Sequence, residues 1–486
     1  MASVIVVGGG LAGLACGWRL ERAGHDVEVL ERASAPGGRL ASQWRNGFLL
    51  ESGARFVTTS SQHVRDMARV LGLSLQAIEP GRTAILRGGR LDRIDFQSPL
   101  AALGSRLIPG RGRVGLARLA LEVARHRREL DPLRPELAQR LDRDDFATHL
   151  GRIVGSSARD DLIAPILELV LGTPPAALSR AYGLVALRAL SEGSGLEWLR
   201  GGLVRLSDAL AERLRIRSDV EVLRVETQSG GAKVRYRTGG REGLAISDAV
   251  VVAVPASLVN AMCPRLQPAE RGFLDGVCYA RSIVVHLLLD AIPGALPCEA
   301  LAIARSANPL ISAVYADHLR AGAAPAGHGL VTVSLSGNAT ERLWDASDDE
   351  VGQRVLEALA ATPAGALEPR ELFVRRWPYA RPEFRSGYPT RLGIFRGRSE
   401  RTPRLAFAGD YLVGPNLEGA LASGLRAASE VARELPAVVV APPSQRPVEG
   451  AMPRAEQGAL APTPDATPPS QNATAPGPTA RTAPPR

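Results

Sequence analysis

An α/β fold is predicted by three observations: a strand–helix–strand opening, a middle region of helical spacing followed by antiparallel strand text, and a closing strand–helix pair that returns to the character of the opening. The opening run Ser3-Val-Ile-Val-Val7 is short, apolar and followed by glycines, which reads as a buried parallel strand. A helix is expected over 11–23, and Gly24-His25 then turn the chain into a second strand over 26–30. From about 82 to 199 the character changes, and the segments 114–130 and 144–171 carry helical spacing and many arginines. Strands are expected over 220–225, 233–237 and 249–254. A further set over 282–289, 300–304, 310–315, 330–335 and 372–377 suits an antiparallel sheet. Ser347-Asp-Asp-Glu350 is a capping-box signature for a helix running to Leu359. A strand over 405–408 leads through Gly409-Asp410 into a helix over 419–435. Beyond about 437 the chain turns to Pro, Ala, Ser and Thr, cannot bury enough surface to offset its ordering entropy, and is expected to be disordered.

The chain has 486 residues, enough for more than one domain, and its 45% hydrophobic and 22% charged residues are ordinary for a globular protein. The net charge is +9, carried almost wholly by arginine; Lys233 is the one lysine. The arginines are scattered and accompany no nucleic-acid reading motif, so no nucleic-acid partner is expected. Cys16, Cys263, Cys278 and Cys298 form no CxxC pair and no metal-ligand spacing, so no metal is expected. A first strand starting at Ser3 leaves no secretory leader, and no run approaches the roughly 20 apolar residues of a spanning helix. The expected location is cytoplasmic, with peripheral attachment to the inner face of a membrane left open.

Gly8-Gly9-Gly10-Leu11-Ala12-Gly13 fits GxGxxG between a strand and a helix. Gly8 permits the tight turn, Gly10 lets the backbone approach a pyrophosphate, and Gly13 lets the helix pack close to the strand. Leu11 and Ala12 open the helix, whose N-terminus offers N–H groups and partial positive charge to phosphates. Glu31 ends the second strand, where an acid accepts hydrogen bonds from a ribose hydroxyl and repels a 2′-phosphate. Arg32 beside it is counted with this Rossmann-type nucleotide-binding set.

The motif alone does not separate NAD from FAD. Beyond it stand Pro36-Gly37-Gly38-Arg39, then Glu51-Ser-Gly53-Ala54, then Gly201-Gly202-Leu203 with a strand through Val222, and finally Gly409-Asp410-Tyr411 with Leu417-Glu418-Gly419-Ala420. This text resembles the flavin amine oxidase superfamily, which includes protoporphyrinogen oxidases and phytoene-type desaturases. The resemblance spans roughly 3–435. It implies FAD as cofactor, with Gly38 and Arg39 along the pyrophosphate and flavin, Gly53 and Ala54 beside the isoalloxazine, and the Val222 backbone at the adenine. It also implies that Asp410, after Gly409, holds a ribityl hydroxyl, and that the helix start at Leu417, Glu418 and Ala420 faces the flavin N1/O2 edge. The domains expected on this basis are an FAD-binding domain in three parts (1–81, 200–265 and 396–436), a helical substrate or membrane-facing segment (82–199), a substrate-domain antiparallel sheet (266–395) and the tail (437–486).

Two absences narrow the chemistry. A second GxGxxG is missing, so electrons are expected to pass from substrate to FAD and then to oxygen, a quinone or another acceptor. No cysteine falls between Trp377 and Arg426, where relatives with covalent flavin carry one, so the FAD is expected to be non-covalent. Polyamine-type relatives place a lysine near flavin N5 in a strand resembling Arg281-Ser-Ile-Val-Val-His286, and this chain has none there. Trp377, Tyr379 and Tyr411 are substrate-pocket candidates, weighed against a packing role; the histidines receive no role. The Arg-rich stretch 106–128 reads either as a solvated helix face or as a membrane-facing or acid-binding surface. The resulting expectation is dehydrogenation of a largely apolar, porphyrinogen-like or polyene-like molecule by hydride transfer to flavin N5. An amine oxidase releasing hydrogen peroxide and a non-catalytic flavin-binding protein are the alternatives.

Overall fold

A computed structural model describes residues 1–79, 82–94, 110–192, 195–294, 296 and 298–435. The tail expected to be disordered, and residues 106–109 of the Arg-rich stretch, lie outside the described residues.

The opening follows its local signals. Strand Ser3–Val7, helix Leu11–Arg22 and strand Asp26–Leu30 form a βαβ unit. The unit belongs to a five-stranded parallel sheet ordered 215–217, 26–30, 3–7, 249–252 and 405–407. Its central strands are buried on both faces, which is why they read as continuous Val/Ile/Leu/Ala runs. The last strand and the helix Leu417–Glu434 come from the far end of the chain, and Ala406, Ala408, Ala427 and Ala428 pack with Val4, Val6 and Ala12 in one cluster. A Cβ at Gly424 would overlap the carbonyl oxygen of Ala12, so only glycine permits this crossing of the first and last helices. A three-stranded meander, 221–228, 231–238 and 241–247, follows strand 215–217. Lys233 lies in it.

The expected antiparallel sheet has seven strands, in the order 371–382, 279–289, 329–335, 311–316, 300–303, 83–87 and 90–94. Its last two strands were not expected. Residues 83–94 form a hairpin, and its first strand pairs parallel with 300–303 in an otherwise antiparallel sheet. The stretch 144–171, expected to be helical, is helical but interrupted: Gly155 takes φ +83°, and a wide turn over Arg159–Ile163 separates Phe146–Ile153 from Ala164–Leu171. Ser347 caps helix Asp348–Ala360 by accepting the Glu350 N–H at 3.1 Å. Among the described residues no helix is long and apolar enough to cross a membrane.

Candidate functional site

The glycine turn divides into two kinds of position. A Cβ at Gly8 would stand 2.7 Å from the Ala253 carbonyl oxygen, and one at Gly13 would overlap the Gly8 carbonyl oxygen, so both glycines are demanded by packing. A Cβ at Gly10 would meet nothing within 4 Å. Gly10 is also the N-cap of helix Leu11–Arg22 and supplies no side-chain acceptor, so the first N–H groups of that helix are left for a ligand. Gly37 donates to the Gly9 carbonyl at 2.8 Å, and Gly38, at φ +58°, lies directly over Gly10. The two glycine pairs thus form one backbone cradle, open at Gly10 and edged at Gly9 by the Glu31 and Pro36 side chains.

Glu31 is placed by the end of its strand. Its Oε2 accepts the Gly9 N–H at 2.6 Å and its Oε1 accepts the Ala33 N–H at 2.7 Å, which leaves each oxygen a further lone pair for a hydroxyl. Arg32 is exposed beside it. The Glu31 carbonyl accepts the Val220 N–H at 2.9 Å, which brings the strand carrying Val222 alongside. The ladder shifts register between Val222 and Arg224.

Arg39 joins the two ends of the chain. Its guanidinium donates in a fork to Asp410, at 2.7 and 2.9 Å, and also to the Ala380 carbonyl at 3.2 Å. Burial works against the Arg39 charge, but Asp410 more than offsets it and raises the Arg39 pKa. A Cβ at Gly53 would overlap the Arg39 carbonyl oxygen, and Ala54 donates to that carbonyl at 3.2 Å. Leu11, Ala54, Leu417 and Ala420 share one apolar cluster, so four residues far apart in sequence meet. Gly409 donates to the Ser423 hydroxyl at 2.9 Å, which fixes the turn before Asp410.

Glu418 departs from the expectation of a helix start free to face a ring. Its carboxylate caps helix Gln62–Val70, accepting the N–H groups of His63 and Val64 at 3.0 and 3.1 Å, and it contacts His63 Nδ1 at 2.6 Å. The pair raises the pKa of His63, against partial burial. Asn416, not Glu418, caps the closing helix, accepting the Gly419 N–H at 2.7 Å.

Of the pocket candidates, Trp377 reaches the site: its Nε1 donates to the Ser52 carbonyl at 2.7 Å, next to Gly53. Tyr379 is partly exposed and packs edge-on against Tyr279, with centroids 5.7 Å apart. Tyr411 lies in the main apolar core at 1% exposure, against Gly409, and among the described residues its hydroxyl has no hydrogen-bond partner. Arg281, which opens the stretch 281–286 where a lysine was sought, stacks its guanidinium on Trp344 at 4.7 Å and pairs with Glu341 at 3.4 Å.

A buried polar chain behind Ser52 was missed. The Ser52 hydroxyl meets His286 Nε2 at 3.0 Å, and His286 Nδ1 meets Thr332 Oγ1 at 2.8 Å. Thr332 donates to Asp317 at 2.6 Å, and Asp317 accepts a fork from Arg55. Arg320 adds Glu51 at 2.7 Å and Glu299 at 2.9 Å. Glu51 in turn accepts the Leu203 N–H at 2.9 Å, which ties the Gly201-Gly202 turn to the site. Burial, aided by Arg55, pushes the His286 pKa down to about 3, so the imidazole is neutral. Burial raises the Glu51 pKa against the opposing pull of Arg320 and Arg55. Asp317 is lowered, because Arg55 and Arg320 outweigh its burial. The signal available in sequence was polar residues set inside apolar strand runs: Glu51 after Phe-Leu-Leu, His286 within Val-Val-His-Leu-Leu, and Thr332 between two valines.

Known proteins are similar to this chain over most of its length. A coproporphyrinogen III oxidase of Mycobacterium tuberculosis is 29% identical over 467 residues, covering 90% of this chain and 99% of that protein. A zeta-carotene-forming phytoene desaturase of Myxococcus xanthus is 28% identical over 292 residues, covering 54% of this chain and 53% of that protein. The structure of a putrescine oxidase bound to putrescine superposes with a TM-score of 0.74 at 20% identity, over 89% of this chain and 99% of that one. The family described as flavin containing amine oxidoreductase matches residues 11–432. With FAD as the group that the cradle of Gly10 and Gly38, the acid at Glu31 and the Arg39–Asp410 fork fit, the chain is a member of the flavin-containing amine oxidoreductase family and an FAD-dependent oxidoreductase.

Proposed function

We propose that the protein oxidises a carboxylate-bearing, otherwise apolar substrate of the porphyrinogen class, rather than a cationic amine or a plain polyene. The observation that carries this reading is Arg381. It stands two residues past Tyr379 on the strand that holds Trp377, and the Ala380 carbonyl between them accepts Arg39. Its Nε donates to Thr173 Oγ1 at 3.1 Å, and among the described residues it has no ion pair of its own. The nearby carboxylates are engaged elsewhere, Glu168 with Arg305 at 3.5 Å and Glu383 with Arg385. Burial lowers the Arg381 pKa, opposed by Glu168, Glu383 and Tyr315. An under-compensated guanidinium favours a carboxylate and repels an ammonium group. The coproporphyrinogen oxidase relatives and the missing lysine support the same choice.

Bound non-covalently, FAD supplies hydride acceptance at its N5 and passes the electrons to oxygen or another acceptor. The chain supplies position and dryness. Arg39, locked by Asp410, would hold the cofactor together with the backbone at Gly53 and Ala54. Trp377 holds the Ser52 carbonyl, and the neutral His286 holds the Ser52 hydroxyl, so that segment is fixed from both sides. Arg381 anchors the substrate carboxylate, and Tyr379 and Trp377 wall its apolar body. In this reading 1–81, 200–265 and 396–436 make the FAD domain, and the seven-stranded sheet with its helices, hairpin 83–94 included, makes the substrate domain.

The test is anaerobic mixing of the FAD-loaded protein with coproporphyrinogen, putrescine or phytoene while the visible flavin band is followed. Bleaching by the porphyrinogen alone is expected, with Arg381→Gln raising KM about tenfold and changing kcat less. Bleaching by putrescine and not by the porphyrinogen would overturn the reading in favour of an amine oxidase. A flavin that no reductant of the three classes bleaches would leave a non-catalytic flavin protein.

A further inference from the structure

A cleft of about 260 Å³ opens on the other side of the parallel sheet from the helix that begins at Gly10. The alternation of the last strand fixes this placement. Ala406 and Ala408 pack with Ala12 of that helix, whereas Phe407 packs into the opposite core and lines the cleft. The cleft therefore lies away from the nucleotide cradle, and it goes beyond the function proposed above.

Its lining is unusual in charge. Arg134, Arg396, Arg398, Arg401 and Arg426 are set against two lining glutamates, Glu136 and Glu430, an excess of three positive charges from five minus two. Counting Glu270, which pairs with Arg398 at 3.1 Å, the excess is still two. Arg134 approaches Glu136 at 3.7 Å, and the other four divide by how firmly they are held. Two are clamped: Arg396 donates to Glu136 and to the Leu412 carbonyl, and Arg398 donates to Glu270 and to the Phe395 carbonyl. Two are loosely held: Arg426 approaches Glu430 only at 3.5 Å, and Arg401 approaches the same glutamate at 3.9 Å. One carboxylate cannot neutralise both. Among the described residues the buried Nε of Arg396 has no hydrogen-bond partner, and that of Arg426 has only the long approach to Glu430. Burial, and next the charge of Arg396, press the Arg426 pKa down to about 10. Like charges held this close in a part-buried cleft are costly unless an anion lies between them. The Glu136 Oε2, also unpartnered, marks the end of the cleft an anion would avoid.

We propose that this cleft is a second ligand site, taking a small soluble polyanion with phosphate or carboxylate groups. Guanidinium donors match such oxygens in pairs. The volume is below the about 300–1,000 Å³ of pockets for drug-sized ligands, so the occupant is of pyrophosphate or tricarboxylate size. Its grip also reaches the cofactor side by a short path. Arg396 holds the Leu412 carbonyl two residues after Asp410, and Arg426 rides on the closing helix.

The experiment is titration calorimetry of the FAD-loaded protein with pyrophosphate and with citrate at constant ionic strength. One saturable site is expected for at least one of them, weakened about tenfold or more in Arg426→Gln and in Arg401→Gln, with the flavin spectrum unchanged. Arg401 has a 40% exposed side chain, so its variant keeps the test alive should the Arg426 variant fold poorly. Absence of saturable binding for both anions overturns the proposal, and so does binding that neither substitution weakens. Flotation with phosphatidylglycerol vesicles forms the second arm. Capture that depends on these arginines, without binding of either soluble anion, would reassign the chemistry to a lipid headgroup and overturn the soluble-ligand proposal.

Discussion

Gly10 and Gly53 are both glycine for reasons that a single methyl group separates. At Gly53 a Cβ would overlap the Arg39 carbonyl oxygen, so Gly53→Ala is expected to destabilise the apoprotein by ~1–3 kcal/mol. At Gly10 it would meet nothing within 4 Å, so Gly10→Ala should leave apoprotein unfolding unchanged and cost FAD content instead. Chemical denaturation of apoprotein, set beside the ratio of flavin to protein absorbance, checks both. His286 makes a pH prediction. Its pKa is about 3 in the fold and about 6.5 when unfolded, so its neutral state contributes stability in full above about pH 6.5 and loses it as pH falls towards 3. His286→Asn should therefore show a shallower loss of stability between pH 6.5 and 4.5 than the parent, read from urea midpoints at each pH. Equal slopes would mean that the imidazole is not held neutral. At this scale the glycines and Glu31 were readable, because their signals are local. The Ser52–His286–Thr332–Asp317 chain was not, because its bonded neighbours lie 15 to 234 residues apart and each alone resembles a stray polar residue.

Among the elements, the strands buried on both faces and the capped helix Asp348–Ala360 announced themselves by pattern and cap. Those that escaped did so for identifiable reasons. Strand Arg215–Arg217 is three residues long and flanked by arginines, and it exists through pairing with Asp26–Leu30. Hairpin 83–94 joins the large sheet through a parallel partner at 300–303, a contact that no local pattern carries. The break within 144–171 rests on Gly155 at φ +83°, and that glycine was visible though its effect was not weighed. The crossing of the first and last helices yields an element-level prediction. Gly424→Ala pushes a methyl group against the Ala12 carbonyl, and is expected to cost ~1–3 kcal/mol and lower Tm by a few degrees in calorimetry. An unchanged Tm would mean that the helices part without penalty.

Across the whole molecule, Arg39 and Asp410 staple residues 371 positions apart, beside the cradle that the first glycines form. Asp410→Asn removes one charge of the fork and leaves Arg39 under-compensated. With Arg39 at 34% exposure the cost to stability is expected to be ~1–3 kcal/mol, below that of a fully buried pair. The larger effect should be on flavin retention, and purified Asp410→Asn is expected to lose most of its yellow colour at equal yield. A variant that keeps its full flavin content would show that the fork serves the fold and not the cofactor. The family and the cofactor were legible at this scale because the matching motifs sit at both ends of the chain. Arg381, on which the proposed substrate class rests, was not singled out in the sequence, because its lack of an ion pair among the described residues shows only in the fold.

The parallel sheet has a consequence for how the protein is made. Of the sheet's strands, the central one, 3–7, is synthesised first and the edge strand 405–407 last. At about 5–20 residues per second the nascent chain spends tens of seconds with its glycine turn synthesised and its sheet incomplete. Arg39 meets Asp410 only once that last strand is made, so protein from cells starved of flavin is expected to be cut by protease at 3–30 and 405–434 together.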